Sequence, residues 1–286
     1  AFKDYSMKDF TVDVLDQLKA IDIEEYQEYL KVYKNGDKTE TNGERGLKRK
    51  ISALRSFYAY YYKHEFIQTN PTVLVDVPKT HEKNIIRLDA DEVAMLLDHI
   101  EHCGDELTGQ KRVYYEKTKE RDLAIVTLLL GTGIRVSECV GLDVEDVDFK
   151  NNGIKVTRKG GNEMVVYFGP EVEKALKRYL EVRENIIPLE GHEHALFYST
   201  QRKRIGIQAV ENLVKKYAGA ITTTKKITPH KLRSTYGTTL YQETGDIYLV
   251  ADVLGHRDVN TTKKHYAAMD DARRRKAATA VHLRED

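Results

Sequence analysis

Between Val77-Pro78 and Leu88 the chain runs Lys79-Thr80-His81-Glu82-Lys83-Asn84, a polar stretch with no apolar period, and the segments on either side of it carry helical periodicity. A break of this kind points to two separately built cores. The length of 286 residues agrees, because it exceeds one ordinary domain and falls short of three. The expected organisation is a helical domain at 1–78, a linker at 79–88 and a second domain at 89–286 that ends in a charged tail.

In the first domain, Val12, Val14, Leu15 and Leu18 form one apolar set, and Ile23, Tyr26, Tyr29, Leu30 and Tyr33 form another that stops at Asn35-Gly36-Asp37. From about 45 to 63, Leu47, Ile51, Leu54, Tyr58 and Tyr61 recur at spacings of four and three. At about 100° per residue they share one stripe, and Arg45, Lys48, Arg49, Ser52, Arg55 and Ser56 fall on the other side. One face builds a core. The other is either a solvated surface or a grip for a polyanion, and the run Tyr58 to Tyr62 reads as packing.

The second domain opens at Asp89-Ala90-Asp91-Glu92, carboxylates in the first turn of a helix whose apolar positions are Val93, Leu96, Leu97 and Ile100. A helix is expected at about 120–130, from the apolar run Leu123 to Leu130, stopped by Gly131-Thr132-Gly133, and Ile134 opens the next. Then the period changes. Ile154 and Val156 alternate with Lys155 and Thr157, Lys159-Gly160-Gly161-Asn162 makes a turn, and Met164 to Phe168 returns. The fold class is therefore mainly α with a small β-hairpin, an α+β arrangement.

Composition narrows the function classes. A hydrophobic fraction of 41% and a charged fraction of 32% describe an ordinary globular chain. No apolar run is long enough to span a membrane and no secretory signal is readable, so a cytoplasmic protein with no membrane partner is expected. Cys103 and Cys139 are far apart and read as reduced structural thiols. A chain that opens Ala1-Phe2-Lys3 leaves open whether an N-terminal arm precedes it. The net charge of +1 hides local excess: residues 44–64 set six Lys or Arg against Glu44, and 200–235 set nine against Glu211. Such patches fit a protein that grips polyanion on one side, although solvated faces look the same in sequence.

Four segments of the second domain offer groups suited to a phosphate. Gly133-Ile134-Arg135 places an arginine after a glycine break, where it is either a bidentate phosphate fork or one half of a surface pair with Glu138. Lys159 stands at the hairpin turn. Thr228-Pro229-His230-Lys231-Leu232-Arg233 is a helix start, with His230 and Arg233 one turn apart beside the positive end of the helix dipole. Leu254-Gly255-His256 ends an apolar helix, and Asn260-Thr261-Thr262 caps a further helix carrying Tyr266. Two arginines, a lysine, two histidines and a tyrosine, with no metal cluster readable, suit metal-free phosphoryl transfer at a diester.

In this order and context, Gly133-Ile-Arg135-x-Ser137-Glu138, Lys159-Gly160, His230-x-x-Arg233, Leu254-Gly255-His256 and Tyr266 resemble the tyrosine recombinases, the integrase family, including its Xer-type members. The resemblance covers nearly the whole chain and implies a helical core-binding domain, with DNA contacts from Arg45, Lys48, Arg49 and Arg55, joined to a catalytic domain in a C-shaped DNA clamp. It implies that Arg135 and Arg233 bind the scissile phosphate, His256 bonds a non-bridging oxygen, His230 assists proton transfer, Glu138 orients a neighbouring group, Lys159 protonates the leaving 5′ oxygen and Tyr266 forms a 3′-phosphotyrosyl bond. No cofactor is implied. Family members act as homotetramers on two double-stranded DNA sites, in some cases with accessory DNA-bending proteins, and Arg273-Arg274-Arg275-Lys276 resembles the segment that docks on a neighbouring subunit. Tyr266 follows His256 by ten residues, which is more like integrases of phages and mobile elements than the chromosome-dimer-resolving Xer enzymes, where nine is usual. His265 departs from the commoner neighbours of the nucleophile. Competing readings are a type IB topoisomerase-like relaxer of DNA, a non-catalytic DNA-binding accessory protein and, more remotely, a metal-dependent nuclease.

Overall fold

A computed structural model describes residues 12–79, 86–158, 160–256, 259 and 262. The chain divides into two compact units, Ala1–Asn84 and Ile85–Asp286.

The first unit contains α1 (Val12–Gln17), α2 (Ala20–Lys31), a two-stranded hairpin of β1 (Val32–Asn35) and β2 (Lys38–Thr41), and α3 (Glu44–Lys63). The stripe on α3 turns inward as its period requires: Leu47, Ile51 and Tyr58 are buried, and Leu54 and Tyr61 pack on the cluster of Leu15, Leu18, Tyr58 and Ile67. Asp16 fastens the chain beyond α3, its Oδ1 accepting from the backbone N–H groups of Gln68 and Thr69 at 2.8 and 3.0 Å. The hairpin departs from expectation. The helix that the tyrosine spacing extends to Tyr33 stops at Lys31, and Tyr33 lies in β1 opposite Glu40. Gly36 adopts φ +59° in the two-residue connection, a conformation that only glycine enters at little cost.

In the second unit α4 (Ala90–His102) begins where its acids predict, with the Glu92 carboxylate accepting from the Asp89 N–H at 2.8 Å. Next come α5 (Gly109–Thr132), α6 (Val136–Gly141), the antiparallel sheet β3 (Val147–Asp148), β4 (Gly153–Thr157) and β5 (Glu163–Tyr167), then α7 (Pro170–Arg183), α8 (Ile207–Ile221), α9 (Pro229–Thr244) and α10 (Ile247–Leu254). The helix expected at about 120–130 is longer by about three turns at its N-terminus, and the one expected from Ile134 starts at Val136. Residues Leu123 to Leu129 are buried on every side, so α5 is the central helix, packed by α4, α7 and α9. β4 faces Ile154 and Val156 into the same core. Mainly helical with small β elements, the fold agrees with the expected class.

One polar network lies inside this core. Arg121 donates to Asp122 Oδ1 from Nε and Nη2 at 2.9 and 2.6 Å, and from Nη1 to the Tyr198 carbonyl at 3.0 Å. The Tyr217 hydroxyl, pushed up by burial and by the neighbouring Asp122 carboxylate, stays protonated and donates to Asp122 Oδ2 at 3.1 Å. Asp122→Ala leaves the Arg121 guanidinium buried with a single carbonyl acceptor. We expect a loss of about 3–5 kcal/mol in the unfolding free energy measured by denaturant titration, and a smaller loss for Asp122→Asn, which keeps an acceptor oxygen.

Candidate active site

The site is built around two glycine turns. α5 ends at Gly133, φ +62°, where a Cβ would stand 2.4 Å from Tyr236 Cδ1 and 3.0 Å from Leu254 Cδ2. Both the backbone angle and the space therefore require glycine. Two residues on, Arg135 precedes α6 in extended conformation, and Glu138 accepts from its backbone N–H at 2.8 Å and from its Nη1 at 2.7 Å. The Glu138 side chain is 4% exposed and that of Arg135 38%. Of the two sequence readings of this pair, the surface pair is excluded on the glutamate side: a buried carboxylate holds a partly exposed guanidinium in place.

The second turn ends α10 at Gly255, φ +62°. The last carbonyls of a helix have no partner within it, and here each acquires one. Ala251 O accepts from the His256 N–H at 2.9 Å and Asp252 O from the Gly255 N–H at 2.8 Å, the pairing expected of a left-handed glycine cap. Beyond them three arginines take over. Arg158 donates from Nη1 to Asp252 O at 3.3 Å and from Nη2 to Val253 O at 2.8 Å. Arg233 donates from Nη2 to Leu254 O and from Nη1 to Gly133 O. Arg135 donates from Nη2 to Gly255 O at 3.2 Å. The negative end of the α10 dipole thus faces three guanidinium groups, and among the described residues the Glu138 and Asp252 carboxylates offset part of their charge. Burial lowers the Arg158 guanidinium, with Glu138 opposing the shift and Arg135 adding to it. The residual positive charge at this turn suits an anion with several oxygens. His256 follows directly, its Nδ1 2.6 Å from the buried Thr262 Oγ1, a bond that sets the plane of the ring.

Residues 86–273 match the Phage integrase family. The tyrosine recombinase XerC of Thermodesulfovibrio yellowstonii is 36% identical over 218 residues, which are 75% of this chain and 68% of that protein. The chain belongs to the tyrosine recombinase family. A second XerC, from Caldanaerobacter subterraneus subsp. tengcongensis, is 33% identical over 290 residues, covering 100% of this recombinase and 74% of its relative. Among solved structures, that of XerA recombinase is 26% identical with a TM-score of 0.57 and covers 94% of this chain and 85% of that one. The Tn1549 transposon integrase fragment bound to transposon right end DNA, 22% identical, shares the fold with a TM-score of 0.70 over 98% of this chain and 90% of its own.

In this recombinase Arg135, Arg233, Glu138 and His256 come together around the two glycine turns. His230 sits exposed on the first turn of α9, one turn from Arg233, which is 5% exposed. Lys159 and Tyr266 lie outside the described residues, as do Thr261, His265 and Arg273-Arg274-Arg275-Lys276. On α3, Arg45, Lys48 and Arg49 are exposed, whereas Arg55 is half-buried and donates to the Val75 carbonyl at 2.5 Å. The basic run 200–235 is partly internal fastening: Arg204 bonds the Val140 and Leu142 carbonyls and the Asp143 carboxylate, and Lys225 bonds Glu92 at 2.6 Å.

Arg158 was not among the residues expected at the site, yet the sequence carries its signal. With period two, Ile154, Val156 and position 158 share the inward face of the strand. An arginine on such a face needs acceptors.

Proposed function

We propose that the chain is a site-specific DNA strand transferase, and the observation that carries this is the convergence of Arg135, Arg158 and Arg233 on the turn that presents His256. In this reading the Tyr266 hydroxyl attacks the scissile phosphorus and its proton passes to His230. The bond to the 5′ oxygen breaks, and Lys159 supplies the proton that leaves with it. Arg135 and Arg233 carry the charge that builds on the non-bridging oxygens, with His256 bonding one of them. The product is a 3′-phosphotyrosyl ester that conserves the diester energy, so no nucleotide cofactor is required, and the arginines take the charge-neutralising part that a metal would otherwise play. Attack by a 5′-hydroxyl of a partner duplex reverses the steps and exchanges strands. A homotetramer on two double-stranded sites completes the assembly.

The spacing of His256 and Tyr266 favours integration or excision of a mobile element, and the XerC relatives favour a chromosomal resolution role. The test of the chemistry is a nicked suicide duplex bearing the cognate site of the source genome, incubated in EDTA and resolved by denaturing electrophoresis. A covalent adduct whose modified peptide contains Tyr266 is expected. Binding to the same duplex with no adduct would overturn the assignment in favour of a non-catalytic DNA-binding protein. Relaxation of supercoiled plasmid by a monomer, without recombinant product, would favour the topoisomerase-like reading.

In the first unit, Arg45, Lys48, Arg49 and Arg55 are proposed DNA contacts. Because Arg55 also fastens Val75, the informative variant replaces only the exposed Arg45, Lys48 and Arg49 with alanine. The slope of log binding constant against log salt is expected to flatten by about 0.9 for each phosphate contact removed, in a filter-binding or anisotropy titration. An unchanged slope would remove these side chains from the interface.

A further inference from the structure

The Arg158 side chain fastens the tip of the hairpin β4–β5 to the end of α10. Arg158 is the residue at which the strands close: its backbone N–H donates to Asn162 O at 2.8 Å, and its carbonyl accepts from the Gly161 N–H at 3.0 Å. Next to it in sequence is Lys159, followed by Gly160 and Gly161 with φ +99° and +82°, angles that glycine enters at little cost. The Arg158 side chain reaches across 94 and 95 residues of sequence to Asp252 O and Val253 O. Its guanidinium lies against the Cα of Gly255, where a Cβ would fall 1.4 Å from Nη1. Gly255 is therefore required twice, by its backbone angle and by the arginine that occupies its missing side-chain space.

Packing alone does not account for an arginine here. A buried neutral side chain on the inward face would close the strand end without bringing a third cation beside Arg135 and Arg233. Arg158 Nε, moreover, is buried without a hydrogen-bond partner among the described residues. What only the planar fork supplies is a two-point attachment between the hairpin tip and the end of α10, the helix that presents His256.

We propose that Arg158 is a positioning residue: by tying the hairpin to the last turn of α10 it fixes the reach of Lys159 to the leaving 5′ oxygen. The assignment rests on the leaving-group role proposed for Lys159. Loss of the tie lets the hairpin tip move, and a displacement of an ångström at a proton donor costs about 10²-fold in rate.

The experiment compares Arg158→Ala, Lys159→Ala and the unaltered full chain on two suicide duplexes, one with the ordinary 5′ oxygen at the cleavage point and one with bridging sulfur there. A thiol is far more acidic than an alcohol, so a thiolate leaves without help from a proton donor. Arg158→Ala is expected to cleave the oxygen duplex about 10²-fold more slowly and the sulfur duplex far closer to the unaltered rate, both rates taken at saturating protein so that a change in DNA affinity does not enter. Equal defects on both duplexes, or no defect on either, would overturn the proposal. If sulfur restores Lys159→Ala but not Arg158→Ala, the positioning role alone is wrong. If sulfur restores neither, the role of Lys159 fails and the positioning role fails with it. Arg158→Lys retains charge without the fork and is expected to show the same pattern with a smaller defect. Where the alanine variant does not fold, this variant on the two duplexes decides by the same criteria.

Discussion

Tyr266→Phe is expected to abolish the covalent adduct while leaving DNA binding intact. Phenylalanine keeps the aromatic ring and removes only the hydroxyl that the proposed reaction consumes. Removing the nucleophile of a covalent mechanism lowers the rate by roughly 10⁶-fold in the best-measured hydrolase, because the remaining groups have no bond to make. Binding draws on other terms: the three arginines at the end of α10 and the cations of α3 stay in place. The measurement is a pair of gels on one suicide duplex, native for affinity and denaturing for adduct. Adduct at an undiminished rate in the phenylalanine variant would assign the nucleophile elsewhere, and loss of native binding would give Tyr266 a structural part that the reaction does not require.

What was legible in the sequence was what had a local cause. The stripe on α3 could be read because one apolar face repeats over five turns, and the end of α10 could be read because an apolar run meets Gly255. The hairpin at 32–41 was missed because Tyr33 also fits the helical spacing of Tyr26 and Tyr29 and neither flanking tetrapeptide alternates apolar with polar residues, which leaves Gly36-Asp37 as the one local turn signal. The first half of α5 was missed for a different reason. Gly109 to Glu120 is mostly charged and polar, and it is held by Tyr115, whose hydroxyl donates to the Ile100 and Glu101 carbonyls. No period in the sequence announces a bond of that kind. The site divides in the same way. Arg135, Arg233 and His256 stand beside glycine or proline punctuation and could be singled out one by one. Their convergence could not, because the groups that gather the arginines are backbone carbonyls of residues 133 and 252–255, which carry no side-chain signature. The period of the strand turns Arg158 inward, but its acceptors at Asp252 and Val253 are carbonyls of this kind.

Arg233→Ala and Arg135→Ala are expected to lower the cleavage rate by about 10²–10³-fold each, the usual consequence of removing a charged donor from a developing oxyanion. They should differ in stability. Arg233 is buried on α9 and donates to two carbonyls, of Gly133 and Leu254, at the ends of α5 and α10. Its loss leaves those acceptors without that donor, at about 1–3 kcal/mol each, so Arg233→Ala should unfold measurably earlier in denaturant. Arg135 is more exposed and shares its load: Glu138 still accepts from the backbone N–H at position 135 after truncation, and Gly255 O lies at the edge of the turn. Its variant should lose comparable activity with a smaller stability change. The lysine variants separate charge from geometry. Arg233→Lys keeps a cation but cannot reach two carbonyls and a phosphate together, and it should recover less activity than Arg135→Lys. Near-normal cleavage in both alanine variants would remove the arginines from the reaction and leave them as fasteners of the two glycine turns.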